Sequence, residues 1–81
     1  MKRGDIVVST AGKDKNSFLA VIGFDEGYVL VVDGKHRPLE RPKRKNEKHI
    51  FLTGQSLKIE EFISNNSLRR ALKHCKIKED F

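Results

Sequence analysis

Cysteine is nearly missing from this 81-residue chain: Cys75 is the only one. That excludes an internal disulfide framework and a multi-cysteine zinc site. A reduced, cytoplasmic compartment is the expected setting. No apolar run reaches eighteen residues, so neither a membrane span nor a membrane partner is expected. A signal peptide is not expected either, because Met1-Lys2-Arg3 is followed at once by Gly4-Asp5 and a strand-like segment. Apolar residues make up only 37% of the chain, and a domain this small hides about 60% of the surface of its unfolded chain. One thin core fits that bound, and a deep substrate cavity does not. Acidic residues are also scarce, with 11 Asp and Glu against 17 Lys and Arg, for a formal charge of +6. The imbalance by itself favours a polyanion or an acidic membrane surface as partner and argues nothing about fold.

What is present begins with β-branched and apolar runs in the first third. Asp5-Ile6-Val7-Val8-Ser9-Thr10 reads as a strand ended by Ala11-Gly12. Lys13-Asp14-Lys15-Asn16 is a polar turn. Phe18-Leu19-Ala20-Val21-Ile22-Gly23-Phe24 is too short for an ordinary helix and too apolar for a loop, so a second strand is expected there. Asp25-Glu26-Gly27 makes a tight reversal into Tyr28-Val29-Leu30-Val31-Val32, and strands joined so closely pair antiparallel.

These strands are apolar on both faces, which implies a sheet that curls, with another element covering its outside. The expected cover is C-terminal. Leu68, Ala71, Leu72 and Cys75 share one stripe of a helix, with Arg69, Arg70, Lys73 and Lys76 on the other side. Asn65, Asn66 or Ser67 is the expected cap. Further strand character returns at Lys48-His49-Ile50-Phe51-Leu52-Thr53, and Leu57-Lys58-Ile59 is expected as a last edge strand. The whole reads as one domain over residues 1–81, with a small mainly β barrel of about five strands over about 3–60 and a short helix over about 66–76.

Between the third strand and the returning one, composition shifts. Lys35 to His49 holds seven basic residues (Lys35, Arg37, Arg41, Lys43, Arg44, Lys45 and Lys48) against Glu40 and Glu47. The other 66 residues carry ten basic and nine acidic groups, so nearly all the net charge sits in this segment. Pro38 and Pro42 keep it extended and forbid a regular central strand or helix through it. A solvated loop and a polyanion contact both fit a charge run. An uncompensated cluster on an otherwise balanced chain favours the second, since Lys and Arg neutralise phosphates. If the fold brings the Lys13–Asn16 turn alongside, the two make one basic face.

The remaining candidates are weaker. His36, His49 and His74 have no metal-ligand spacing, so no metal and no cofactor is expected. His36 and His49 border the basic segment and fit either a surface role or a contact to phosphate or base. Cys75 sits on the apolar stripe and reads as a small buried hydrophobe rather than a nucleophile. Tyr28, beside a turn, is the one aromatic considered for stacking. No catalytic triad, carboxylate pair in an apolar cleft, or glycine-rich phosphate loop is present, so no enzyme is expected.

The order of features resembles a known family. Gly4-Asp5-Ile6-Val7-Val8-Ser9-Thr10-Ala11-Gly12-Lys13-Asp14-Lys15 is similar to the KOW motif, with Gly12 at the place of its characteristic glycine. Tyr28 to Lys35, followed by Pro42-Lys43-Arg44-Lys45-Asn46-Glu47-Lys48-His49-Ile50, resembles the continuation in KOW ribosomal proteins. The likeness covers roughly residues 2–60. It is nearest to the fourteen-e/six-e/twenty-seven-e group of the archaeal and eukaryotic large subunit, and to short bacterial KOW-domain RNA-binding proteins. The resemblance implies an SH3-like barrel that binds structured ribosomal RNA in translation. By position it implies contacts from Lys13 and Lys15 in the first loop, and from Lys43, Arg44, Lys45, Lys48 and His49 in the basic segment. Asn16 stands where that family usually has a glycine, and Asn tolerates positive φ better than most residues.

The expected function is therefore a non-catalytic RNA-binding protein, using Lys13, Lys15, Lys35, Arg37, Arg41, Lys43, Arg44, Lys45, Lys48 and His49. Its expected partners are RNA, ribosomal RNA foremost, and ribosomal proteins; it is expected to be a monomer when free. The alternative is a protein-interaction module of a transcription or translation factor, since SH3-like barrels host both roles.

Overall fold

A computed structural model of the chain describes residues 1–75. Five antiparallel strands form one sheet: β1 (Asp5–Ser9), β2 (Phe18–Asp25), β3 (Tyr28–Val32), β4 (Lys43–Asn46) and β5 (Ile50–Ser56). Their order across the sheet is β4-β3-β2-β1-β5, and a single helix, α1 (Asn65–Lys73), follows. The mainly β fold with one C-terminal helix is as expected, but the small barrel is left unclosed, because β4 and β5 stand at opposite edges.

Local chemistry explains the best-defined parts. Asp25 pairs with Tyr28 across a two-residue loop, where Glu26 (φ 45°) and Gly27 (φ 86°) both take positive φ. That is the reversal whose twist matches paired strands. The ladder slips between Val21 and Gly23 on one side of the sheet and between Asp5 and Val7 on the other. Such bulges bend a strand and raise its twist, which curls the sheet.

Both faces of the curled sheet are filled. On one, Val7, Leu19, Val21, Val29 and Val31 pack together, each no more than 2% exposed. On the other, Ile6, Ala20 and Val32 receive Leu68 and Leu72 of α1, with Phe18, Ile22, Leu39, Leu57 and Phe62 around them. Burying a leucine side chain contributes about 1.5–3 kcal/mol, so two leucines suffice to hold a nine-residue helix down. Cys75 lies just beyond the helix, half-buried against this second cluster. Burial, then the charge of Glu61, pushes its thiol above the ordinary value of 9.0.

Four expectations need correction. The strand count holds, but one of the five is not where it was expected. The basic segment contains β4, which begins directly after Pro42 and pairs only with β3 as an edge strand, where an upstream proline costs no ladder bond. Conversely, Leu57-Lys58-Ile59 adds no strand: the ladder ends at Ser56, and a 3₁₀ turn covers Ile59–Phe62, its first amide region closed by the Lys58 N–H donating to the Glu61 carboxylate at 2.9 Å. The helix is capped by Ser64, whose hydroxyl accepts from the Ser67 N–H at 3.1 Å, not by the three residues after it. It also ends at Lys73, short of the expected residue 76; Lys76 lies outside the described residues.

Candidate functional site

The loop from Thr10 to Ser17 carries Lys13 and Lys15, both exposed. Its shape comes from its own sequence. Gly12 (φ 85°) and Asn16 (φ 73°) take the left-handed region, so the asparagine does tolerate the conformation expected of a glycine there. The Lys15 N–H donates to the Gly12 carbonyl and the Ser17 N–H to the Asp14 carbonyl, folding the loop back on itself.

Asp14 turns inward from this loop and meets Lys45 of β4. The Lys45 ammonium donates to Asp14 Oδ1 at 2.7 Å and to the Ala11 carbonyl at 2.9 Å. The Ser9 hydroxyl donates to the same carboxylate at 2.8 Å. Asp14 Oδ2 is buried without a hydrogen bond and faces Lys43 Nζ at 3.9 Å. Burial pushes the Asp14 carboxyl up, but the Lys45 and Ser9 hydrogen bonds and the two ammonium charges outweigh it. The net shift is below the ordinary 3.8. One buried cluster thus ties the first loop to the edge strand.

That cluster removes Lys45 from the expected contact residues. Its side chain is 6% exposed, because β4 alternates and Lys45 points with Val29 into the core face. The ammonium is spent on Asp14 and Ala11. Arg44 is displaced as well: alternation sends it to the opposite face from Lys43. There it pairs with Asp25 at 3.4 Å and lies 4.4 Å over the Tyr28 ring. Tyr28 therefore already has a cation on its ring.

The other expected residues fall into two groups. Lys48 and His49 lie exposed on a 3₁₀ turn, Glu47–His49, between β4 and β5. The His49 carbonyl accepts from the Thr10 N–H at 2.9 Å, which sets this turn beside the start of the first loop. Lys13, Lys15, Lys43, Lys48 and His49 are brought together in this way. Lys35, Arg37 and Arg41 sit instead on the Asp33–Pro42 loop. Asp33 Oδ1 accepts from the amides of Lys35 and Arg37 at 2.8 Å each, and the Arg41 N–H donates to the Pro38 carbonyl at 2.9 Å. Two nested turns result.

This second loop is docked on α1. The Leu39 N–H donates to Asn65 Oδ1, and the Asn65 amide donates to the Glu40 carboxylate. Gly34 (φ 81°) lies so close that a Cβ would strike the Asn65 carbonyl and the Arg69 side chain. Docking places Lys35 opposite Arg69, Arg70 and Lys73, which line one groove of about 460 Å³ with Asp33. Sequence reasoning set those three helix cations aside as the outer face of a helix. The signal available was their position opposite the Leu68/Leu72 stripe, which does not say what they would face.

Among the described residues, ion pairs occur only at Lys43, Arg44 and Lys45. Of the described carboxylates, none is at ion-pair distance from Lys13, Lys15, Lys35, Arg41 or Lys48. Also among the described residues, no three His, Cys, Asp or Glu side chains gather as a metal site, and no helix is long and apolar enough to cross a membrane. The chain matches no protein-family model and no curated protein.

Proposed function

We propose that the chain is a non-catalytic RNA-binding module of the cytoplasm. It grips structured RNA, ribosomal RNA foremost, through its basic face and needs no cofactor. The observation that carries this reading is the Lys45–Asp14 contact. It sets two basic segments, far apart in sequence, side by side, with Lys13, Lys15 and Lys48 exposed on them. Assembling like charges costs self-repulsion, and a polyanion offsets it by releasing its counterions to solvent. About five or six phosphate contacts fit Lys13, Lys15, Lys35, Arg41, Lys43 and Lys48. Log K should then fall with log salt at a slope of about −4 to −5, at about −0.7 to −0.9 per contact. Fluorescence anisotropy with a structured RNA at several salt concentrations tests it; a slope near zero would refute it. Sedimentation of cell lysate at low and high salt tests the ribosomal part, with salt-sensitive co-migration with large subunits expected and exclusive recovery at the top of the gradient contradicting it.

A protein-interaction module is the second reading, favoured by β5. Among the described residues that strand ends the sheet, and it exposes two large apolar side chains, Phe51 at 44% and Leu52 at 47%. Under this reading a protein partner stays bound when the lysines of the basic face are removed, and RNA affinity is weak in every variant.

A further inference from the structure

On the side of the Asp33–Pro42 loop away from the helix groove lies an open cleft of about 350 Å³, lined by His36, Arg37, Pro38, Arg41, Pro42 and Lys43. No carboxylate lines it. Its walls are held before any ligand arrives: Pro38 and Pro42 fix φ, the Arg37 amide is bound by Asp33, and the Arg41 amide by Pro38. Arg37, which lines it, carries one donor that the fold leaves unpaired. Arg37 Nε is buried with no hydrogen-bond partner, one of two such side-chain atoms among the described residues. The other, Asp14 Oδ2, faces the Lys43 ammonium. A buried N–H left unpaired carries a desolvation cost, so an acceptor reaching Arg37 would relieve a standing penalty.

We propose that this cleft is a pre-formed site for one phosphate group. Arg41 supplies a planar guanidinium fork suited to paired phosphate oxygens, Arg37 adds the donors left beside its Nη1, which already donates to the His36 carbonyl at 3.3 Å, and Lys43 supplies a point charge. His36 closes the rim with a further nitrogen. Two arginines with no carboxylate in the cleft, beside Lys43, whose ammonium Asp14 Oδ2 faces at 3.9 Å from outside it, match a phosphate better than a carboxylate ligand, which presents fewer oxygens and less charge. The source of the phosphate rests on the RNA-binding reading above; the site itself does not. An RNA terminus and an internal backbone phosphate present the same chemistry.

The test begins with the full chain, ¹⁵N-labelled and titrated with inorganic phosphate against chloride at constant ionic strength. Saturable shifts centred on the amides of His36, Arg37, Arg41 and Lys43 are expected. Arg41→Ala, at an exposed position, should weaken phosphate about tenfold or more, and Arg37→Ala should do the same. Lys2→Ala, an exposed lysine given no binding role, should leave it unchanged. Unsaturable shifts spread over all lysines, or saturation unaffected by both arginine variants, would overturn the proposal. Short RNAs carrying a 5′-phosphate or a 5′-hydroxyl then separate the sources. Tighter binding of the first assigns the terminus, and equal binding weakened by Arg41→Ala assigns the backbone. If phosphate saturates the cleft while structured RNA fails to bind, the site stands and the RNA-binding reading falls.

Discussion

Lys45 on the edge strand β4 holds Asp14 of the first loop at 2.7 Å, 31 residues away in sequence. Neither residue has a reason to be where it is without the other. A lysine facing a valine-lined interior must be paired, and a loop aspartate turned inward must be neutralised. Their meeting decides which lysines remain on the surface and where the loop bearing them stands.

Removing one partner of a buried pair leaves the other charge uncompensated. Lys45→Ala should therefore destabilise the fold by about 3 kcal/mol or more. Adding Asp14→Asn to it should recover part of the loss, because the orphaned carboxylate is then gone. Urea denaturation of the three proteins checks this; a loss below 0.5 kcal/mol for Lys45→Ala, the ordinary range of a surface substitution, would remove the latch from the account.

The same pair sets a pH dependence. Asp14 ionises more readily in the folded chain than at its ordinary 3.8, so its stabilising contribution is fully present above that value. It is lost as pH falls through the lower folded value. The stability difference between the wild type and Asp14→Asn should accordingly be constant from neutral pH down towards 3.8 and shrink below it. Thermal melts of both proteins across that range measure it, and a difference that grows in acid would contradict the direction.

Leu72 tests the helix. It is 7% exposed in the cluster formed with Ile6, Ala20 and Val32. Leu72→Asp puts an unpaired charge there and should cost about 2 kcal/mol or more. An unchanged melting temperature would mean that α1 is not docked.

Gly34 tests the seating of the second loop. Its φ of 81° and its approach to the Asn65 carbonyl leave no room for a Cβ. Gly34→Ala should cost about 1–3 kcal/mol, the range for a side chain forced into the left-handed region, with the contact to α1 adding to it. Gly27 makes the control, since its positive φ faces open space. An equal effect at both sites would place the cost in backbone conformation alone.

The parts of this fold legible in the sequence are those governed by neighbours in the chain. Asp25-Glu26-Gly27 carries its own turn chemistry, and Leu68 with Leu72 marks a helix face directly. The strand β4 was not legible because Lys43-Arg44-Lys45-Asn46 has no apolar alternation to show; only its ladder with β3 makes it a strand. The burial of Lys45 follows from Asp14, a partner no local pattern announces. Leu57 and Ile59 flank a lysine as strand residues would, yet Leu57 packs under the helix cluster after the ladder has ended. At the site, the charge excess of Lys35–His49 was legible as a segment. Which of its cations face outward depended on strand parity, and parity depended on a register that composition does not carry.

The most direct test of the central claim is an RNA titration at several salt concentrations with wild type and Lys13→Ala/Lys15→Ala/Lys48→Ala. All three lysines are exposed, so the melting temperature should stay close to wild type. Affinity for structured RNA should drop across different sequences, and the salt slope should flatten by about two to three units, one contact per lysine. Equal slopes and equal affinities in a folded variant would contradict the assignment of this face to RNA.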